Sequence, residues 1–234
     1  MKTLFYYTLS FLGMLLIFSC EQNFPNQELN LKNNDVPIIT SFTYNGKFYS
    51  SLSDSMQNHL AKYPELTLYI DENGDKEYFE THEDFIKHLN KCNIKLLNEN
   101  TPQTRASGET SAVASIYKDP NYRGDSKSFQ ISSSGTRWVH ISDLASIGFS
   151  QNISSTRMTV SNPQSTEYGV LFRLWENPNY TGMSMGLRIT NQTQWLYPDL
   201  RSLPRGVYGA TWNDAARSCK LNFVEDPTTP PGWN

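Results

Sequence analysis

The stretch Ile116-Tyr117-Lys118-Asp119-Pro120-Asn121-Tyr122-Arg123-Gly124 returns downstream as Leu174-Trp175-Glu176-Asn177-Pro178-Asn179-Tyr180-Thr181-Gly182. Each copy reads aromatic, four residues, Tyr, one residue, Gly, and each has Pro-Asn between the two aromatics. Agreement of this kind over a whole turn indicates an internal repeat, and such a repeat constrains the fold more than any other feature.

Each copy has the chemistry of a β-hairpin. An apolar, β-prone run precedes the first aromatic, at 113–117 and again at 170–175. Pro presets φ in the turn, and the flanking Asp or Asn side chains bond the backbone or tolerate left-handed φ. The second aromatic supplies a ring that covers the hairpin, and Gly suits a position with φ above zero. The signature residues of the two hairpins are therefore Tyr117, Tyr122, Gly124, Trp175, Tyr180 and Gly182.

This pattern resembles the Greek-key signature of the βγ-crystallin superfamily. Each hairpin is followed by an Asp-Leu pair, and then by the stretches Phe149-Ser150-Gln151-Asn152-Ile153-Ser154-Ser155 and Trp212-Asn213-Asp214-Ala215-Ala216-Arg217-Ser218. The resemblance covers residues 112–224, about half of the chain. It implies an all-β, two-sheet Greek-key sandwich with four strands in each repeat, repeat one at 112–160 and repeat two at 168–224.

The resemblance also implies calcium binding, because the second stretch corresponds to the calcium signature of the family. A site there takes a backbone carbonyl and a hydroxyl from one repeat and an Asn or Asp side chain from the other. One site maps onto the Asn152 carbonyl, the Ser154 hydroxyl and Asp214. The other would need Gln151 and Arg217, and an arginine has no acceptor to offer a cation.

A second interpretation of the same residues stays open. Ser154-Ser155 and Asn213-Asp214 serve in it only as turn residues, while Arg217 fills the vacant site and pairs with a nearby acid. If the first site does bind calcium, its few charged ligands predict weak affinity, roughly 10⁻⁴ to 10⁻³ M.

The N-terminus has the pattern of an export signal. Lys2 is followed by an apolar run over 4–18, which is too short for a comfortable transmembrane helix and ends in Ile17-Phe18-Ser19-Cys20. The sequence therefore predicts a signal peptide at 1–19 and a bacterial lipoprotein, acylated at Cys20 and anchored in a lipid bilayer. A plain signal peptide with an incidental Cys is the alternative. The predicted location is the cell envelope, and neither the membrane nor its face is fixed.

The segment between the signal and the repeats divides by composition. Residues 20–37 are polar and predict a tether. Residues 38–97 predict a small α+β unit, with hairpins around Asn45-Gly46 and 71–75 and helices at 53–63 and 82–90. The 71–75 loop lacks the Gly and Glu positions of an EF-hand, so an acidic turn is predicted. Residues 98–111 predict a linker, and 225–234 a flexible tail.

Charge and cysteine content exclude some classes of function. Without Lys2 the chain has 19 basic and 23 acidic residues, a net charge of −4, and no basic block suited to nucleic acid. Apart from Cys20, only Cys92 and Cys219 occur, in different predicted units. They predict two separate thiols without zinc-site spacing.

The sequence contains no recognisable catalytic constellation, so a non-enzymatic protein is predicted. The leading hypothesis is a membrane-anchored structural or binding module of βγ-crystallin-like fold, with a protein or glycan partner that the sequence does not identify. One alternative is a proteinase inhibitor of this fold, although inhibitory loops are often stiffened by disulfides and this domain has one Cys. Another is carbohydrate binding on an aromatic platform of Trp138, Trp175, Trp195 and Tyr197.

Overall fold

A computed structural model describes residues 41–97, 110–161, 168–190, 193–207 and 209–225. By contacts the chain divides at residue 34, and every described residue belongs to the unit that follows. The predicted signal peptide, Cys20, the tether, most of the linker and nearly all of the tail lie outside the described residues. Within these ranges, no helix has the length and apolar character needed to span a bilayer.

The N-terminal segment forms the predicted hairpins and helices. Asn45 and Gly46 both have positive φ, 50° and 70°, as a type I′ turn requires. Ser53 caps the first helix by accepting from the Met56 amide, and Thr81 caps the second. The elements are β1 (Phe42–Tyr44), β2 (Lys47–Tyr49), α1 (Asp54–Leu60), β3 (Thr67–Ile70), β4 (Lys76–Phe79), α2 (His82–Lys91) and β5 (Lys95–Leu96).

The loop between β3 and β4 is the predicted acidic turn. Asp71 Oδ1 accepts hydrogen bonds from the backbone amides of Asn73 and Asp75, each at 2.9 Å. The carboxylate is thus used to close the turn, as Asx turns do.

The two repeats contribute four strands each. The first strand of each repeat pairs with the second as an antiparallel hairpin, and a short 3-10 helix begins after each Asp-Leu pair. The strands are β6 (Ser111–Asp119), β7 (Arg123–Ser132), β8 (Trp138–Ile141), β9 (Ser155–Ser161), β10 (Tyr168–Trp175), β11 (Ser184–Ile189), β12 (Gln194–Tyr197) and β13 (Ser218–Glu225).

The repeats exchange their third strands. One sheet has the order β12-β9-β6-β7, so β12 of repeat two sits beside the strands of repeat one. In the other sheet, β11, β10 and β13 of repeat two are joined by β8 of repeat one, which pairs with β13. This exchange is a Greek-key arrangement within each repeat and ties the two repeats together. The predicted two-sheet Greek-key sandwich is confirmed.

The core lies between the two sheets. Side chains alternate along each strand, so Val170, Phe172 and Leu174 of β10 face inward and are at most 1% exposed. Phe129 of β7 meets Phe172 across the interface, with ring centroids 6.4 Å apart. Burial of such side chains stabilises the fold by about 1.5 to 3 kcal/mol each.

The N-terminal segment extends the second of these sheets. Strand β3 pairs in parallel with β11, and the hydroxyls of Thr67 and Ser184 lie 2.9 Å apart in this buried junction. Tyr78 of β4 donates to the carbonyl of Pro204 at 3.0 Å, and β5 pairs with the end of β13. One sheet therefore joins the predicted α+β unit to the Greek-key domain, while the domain limits drawn from the sequence remain a prediction.

Helix α2 covers the outer face of this sheet, which is the larger of the two. Phe85 and Leu89 of the helix pack against Leu171 and Val224, which point away from the Greek-key core. The two cysteines stay separate: Cys92 is half-buried, and burial raises the pKa of the Cys219 thiol to about 12.

Candidate metal site

The hairpin corner of repeat one positions the loops above it. Asn121 and Tyr122 have φ of 57° and 59°, which folds the turn back over the hairpin. The Tyr122 ring meets the Tyr117 ring edge-on at 5.7 Å. Gly124 has φ of 72°, and a Cβ there would lie 2.5 Å from Asp119 Oδ2, so both conformation and space require glycine.

The corner of repeat two has the same geometry. Asn179 and Tyr180 have φ of 58° and 61°, and the rings of Trp175 and Tyr180 are 5.5 Å apart. A Cβ on Gly182 would lie 2.5 Å from Asn177 Nδ2. The six signature residues therefore lie in two hairpin corners of the same geometry.

The last serine of each second stretch fastens the hairpin corner of its own repeat, which here means that its hydroxyl hydrogen-bonds to two backbone groups of that corner. Ser155 Oγ donates to the Asp119 carbonyl at 2.7 Å and accepts from the Tyr122 amide at 3.1 Å. Ser218 makes the equivalent two hydrogen bonds in repeat two, also at 2.7 and 3.1 Å. Because both serines are buried and used in this way, neither is a candidate cation ligand.

The two signature loops cross each other with approximate twofold symmetry. The Gln151 amide donates to the Ala216 carbonyl, and the Asp214 amide donates to the Ile153 carbonyl, both at 2.9 Å. Gln151 and Asp214 also share a left-handed backbone, with φ of 53° and 54°. Asp214 of repeat two therefore lies beside Ser154 of repeat one. By the same symmetry, Gln151 of repeat one lies beside Arg217 of repeat two.

Two of the three predicted ligands come into contact across the repeats. The Ser154 hydroxyl donates to Asp214 Oδ1 at 3.3 Å, although 60 residues separate them in the chain. Ser154 is buried and Asp214 is exposed, so the pair stands at the surface with one anchored member. Asp214 Oδ2 accepts from the Asn213 side chain at 2.7 Å, which fixes the carboxylate.

The third predicted ligand, Asn152, lies in the same loop as Ser154. Its side-chain amide donates to the Gly148 carbonyl at 3.3 Å, while its Oδ1 atom is buried without a hydrogen-bond partner among the described residues. Buried oxygens in native proteins nearly always have a partner, and either a cation or a hydrogen-bond donor could serve as one here. The Asn152 carbonyl stays a predicted ligand.

The residues present fit one weakly held calcium ion. Hydroxyl, carboxylate and carbonyl oxygens are the hard ligands that calcium prefers. The carboxylate that meets Ser154 at the loop crossing is that of Asp214, and among the described residues no group of three or more His, Cys, Asp or Glu side chains is placed to hold a metal ion. The arrangement therefore supplies the right atoms with little negative charge.

The symmetry-related position does not fit calcium. Gln151 stands where the first site has Asp214, and Arg217 where it has Ser154. The guanidinium adds a positive charge and no acceptor. Arg217 Nε is buried without a partner, and no carboxylate among the described residues forms an ion pair with it.

The predicted aromatic platform is not assembled. Trp175 is 2% exposed and packs beside Tyr180 in the corner. Trp138 lies on β8 in one sheet, with its ring tilted against that of His140, whereas Trp195 and Tyr197 lie on β12 in the other sheet. These aromatics are parts of separate packing clusters, so they do not offer one surface to a sugar.

A buried cation on the outer face of the larger sheet was not predicted from the sequence. Arg173 is 4% exposed, and its register neighbour on β13 is Lys220. A charged residue at an alternating position within the apolar run of β10 was the available signal, but its neighbour depends on strand register.

Comparison with known proteins found no matching family model and no matching curated protein. Among solved structures, a βγ-crystallin from Ciona intestinalis is 22% identical, with a TM-score of 0.27, over 46% of this chain and 95% of that one. A double mutant of a βγ-crystallin domain from Clostridium beijerinckii is 22% identical over 47% and 96%, with a TM-score of 0.25. A double mutant of clostrillin in complex with nickel is 22% identical over 47% and 97%, with a TM-score of 0.26.

The class of the domain follows from its own geometry. Two repeats with the same corner, the same serine fastening and exchanged third strands define a βγ-crystallin-like fold. In this chain that fold carries an additional α+β segment on one edge and one face of its larger sheet.

Proposed function

We propose that the chain is a non-enzymatic βγ-crystallin-like module of the bacterial cell envelope, anchored by lipid on Cys20, that binds one calcium ion weakly between its repeats. The single observation that supports the cation site most directly is the Ser154–Asp214 contact at 3.3 Å. Its two oxygens come from different repeats, so a shared ion would link them. Asn152 would complete the set from the loop of Ser154.

The role of calcium in this proposal is to stabilise the loop crossing. The ion binds the folded arrangement and not the unfolded chain, so its effect on stability follows from its concentration relative to Kd. With Kd of roughly 10⁻⁴ to 10⁻³ M, about 10 mM calcium adds about 1 to 3 kcal/mol to the free energy of unfolding. Magnesium, which demands stricter octahedral geometry, adds less.

Thermal unfolding of the full-length chain tests this role. We expect the melting temperature to be higher in calcium than in a chelator, and the difference to be absent in Ser154→Ala. An equal melting temperature in both buffers would remove calcium from the proposal and leave a cation-independent module.

The anchor is tested separately, because it rests on the sequence alone. Cells expressing the full-length chain are fractionated, and the chain is examined by mass spectrometry. We expect the wild-type chain in the membrane fraction, cleaved before Cys20 and acylated there, and Cys20→Ala outside it. A wild-type chain that carries no acyl group would refute the anchor without affecting the cation site.

A further inference from the structure

Three basic side chains form a row across the outer face of the larger sheet. Strand register places Lys220 of β13 directly opposite Arg173 of β10 on one side and His140 of β8 on the other. Gly186 of β11 stands opposite Arg173 on its far side and contributes no side chain. We call Arg173, Lys220 and His140 the basic row.

Helix α2 adds a fourth basic group to the row. Arg173 Nη1 lies 3.3 Å from His82 Nε2. Because a guanidinium can only donate, His82 must accept through Nε2 and carry its proton on Nδ1. Burial, followed by the charges of Arg173 and Lys220, lowers the pKa of His82 to about 4.

No carboxylate among the described residues forms an ion pair with Arg173 or Lys220. Arg173 is 4% exposed, and burial lowers the pKa of its guanidinium to about 10. Burial and the charge of Arg173 also lower the pKa of Lys220. Like charges directly opposite on adjacent strands destabilise a sheet, and an unpaired buried charge costs several kcal/mol. The aromatic faces of Trp175 and Tyr180 offset only part of this cost, at 4.8 Å from the Arg173 guanidinium and 3.9 Å from Lys220 Nζ.

Two donors in the same place have no acceptor. Arg173 Nε and His82 Nδ1 are both buried without a hydrogen-bond partner in the described structure. Buried donors are nearly always paired in native proteins. Two orphaned donors beside two uncompensated cations therefore indicate an acceptor that carries negative charge.

We propose that the basic row is a binding site for a small oxyanion, a phosphate group held by Arg173 and Lys220. The guanidinium offers the planar fork that matches phosphate oxygens, and Lys220 adds a point charge. Arg173 is buried, whereas Lys220, Tyr180 and His82 are half-buried and His140 is exposed, so the phosphate enters from the side of Lys220 and His140. Neither this site nor its ligand depends on calcium or on the lipid anchor.

The test uses the full-length chain and inorganic phosphate. Thermal unfolding is followed in sodium phosphate and in sodium chloride of matched ionic strength, and binding is titrated by calorimetry. We expect a saturable rise of the melting temperature in phosphate, and in Arg173→Met a Kd weaker by about tenfold or more, as loss of a charged hydrogen bond predicts. Lys127→Met, which removes an exposed cation from β7, should bind like wild type.

A second variant keeps the test decisive if Arg173→Met fails to fold. Lys220→Gln alters the half-buried member of the row and should likewise weaken phosphate binding. Glycerol 1-phosphate identifies the source: binding comparable to that of phosphate indicates a phosphomonoester on a larger molecule, and binding of inorganic phosphate alone indicates the free ion. A wild-type chain that responds no more to phosphate than to chloride, or variants that respond equally, would overturn the proposal.

Discussion

Ser155 and Ser218 show how one residue type is reserved for the fold within a loop that otherwise offers ligands. Each hydroxyl bridges a carbonyl and an amide of its own hairpin corner, and each serine is 0% exposed. Ser154, one position earlier, instead donates to Asp214 of the other repeat. The difference between fastening a corner and facing the loop crossing is thus one residue.

We predict that Ser155→Ala destabilises the chain by about 1 to 3 kcal/mol, because it leaves the Asp119 carbonyl and the Tyr122 amide without their partner. Urea denaturation measures the change. Ser126→Ala, at an exposed position of β7, is the control and should stay within about 0.5 kcal/mol of wild type. Equal stability of the two variants would contradict the fastening role.

At this scale the sequence was most informative. The repeated motif predicted both corners. Alignment of the two second stretches assigned Ser154 and Asp214 to one site, and in the structure the Ser154 hydroxyl lies 3.3 Å from Asp214 Oδ1. It could not reveal the neighbour of Arg173, because that neighbour depends on the register between β10 and β13.

Helix α2 is the element that distinguishes this domain from a bare pair of Greek keys. Its apolar side covers the outer face of the larger sheet, and its first residue, His82, contacts Arg173. The helix was predictable from its Thr81 cap and its apolar spacing, but its docking surface was not. Four strands were predicted for repeat two, but the position of β12 was not, because its Trp195-Leu196-Tyr197 run lacks the alternation of apolar and polar residues that marks a half-buried strand.

The depressed pKa of His82 predicts a pH dependence of stability. The pKa falls from its ordinary 6.5 to about 4 in the folded chain, first because of burial and then because of Arg173 and Lys220. Between these values the unfolded chain binds the extra proton, so the free energy of unfolding decreases as pH falls from about 6.5 towards 4.

Denaturation in chloride buffers at pH 7 and pH 5 measures this decrease in the free energy of unfolding. His82→Gln, which keeps an acceptor for Arg173, should lose less stability over that interval, and an equal loss would contradict the assignment.

The whole molecule is organised by one sheet that runs from β2 to β5 through strands of both segments. The central junction is the parallel pairing of β3 with β11, between residues about 117 positions apart. Hydrophobic periodicity describes each strand separately and cannot report a pairing over that distance. The linker composition at 98–111 therefore predicted a separation that the shared sheet bridges.

We predict that damage in the N-terminal segment unfolds the Greek-key domain with it. Phe42→Ala on β1 removes a side chain that is 2% exposed and stacked on Tyr49, at a cost of about 3 to 5 kcal/mol. All five tryptophans lie beyond residue 110, so their fluorescence reports on the other segment. The tryptophan transition should shift to lower urea in Phe42→Ala. Phe48→Ala, on neighbouring β2 and 68% exposed in wild type, should leave it in place. An unmoved transition in Phe42→Ala would indicate two independent domains.

The most direct test of the account is a calorimetric titration of the full-length chain with calcium, beside Asp214→Ala and the symmetry-related Gln151→Ala. We predict one ion per chain with Kd of roughly 10⁻⁴ to 10⁻³ M, lost in Asp214→Ala and retained in Gln151→Ala. That pattern would locate the ion at the one loop crossing whose hydroxyl and carboxylate meet. No saturable heat at millimolar calcium, or equal binding by wild type and Asp214→Ala, would contradict the cation site.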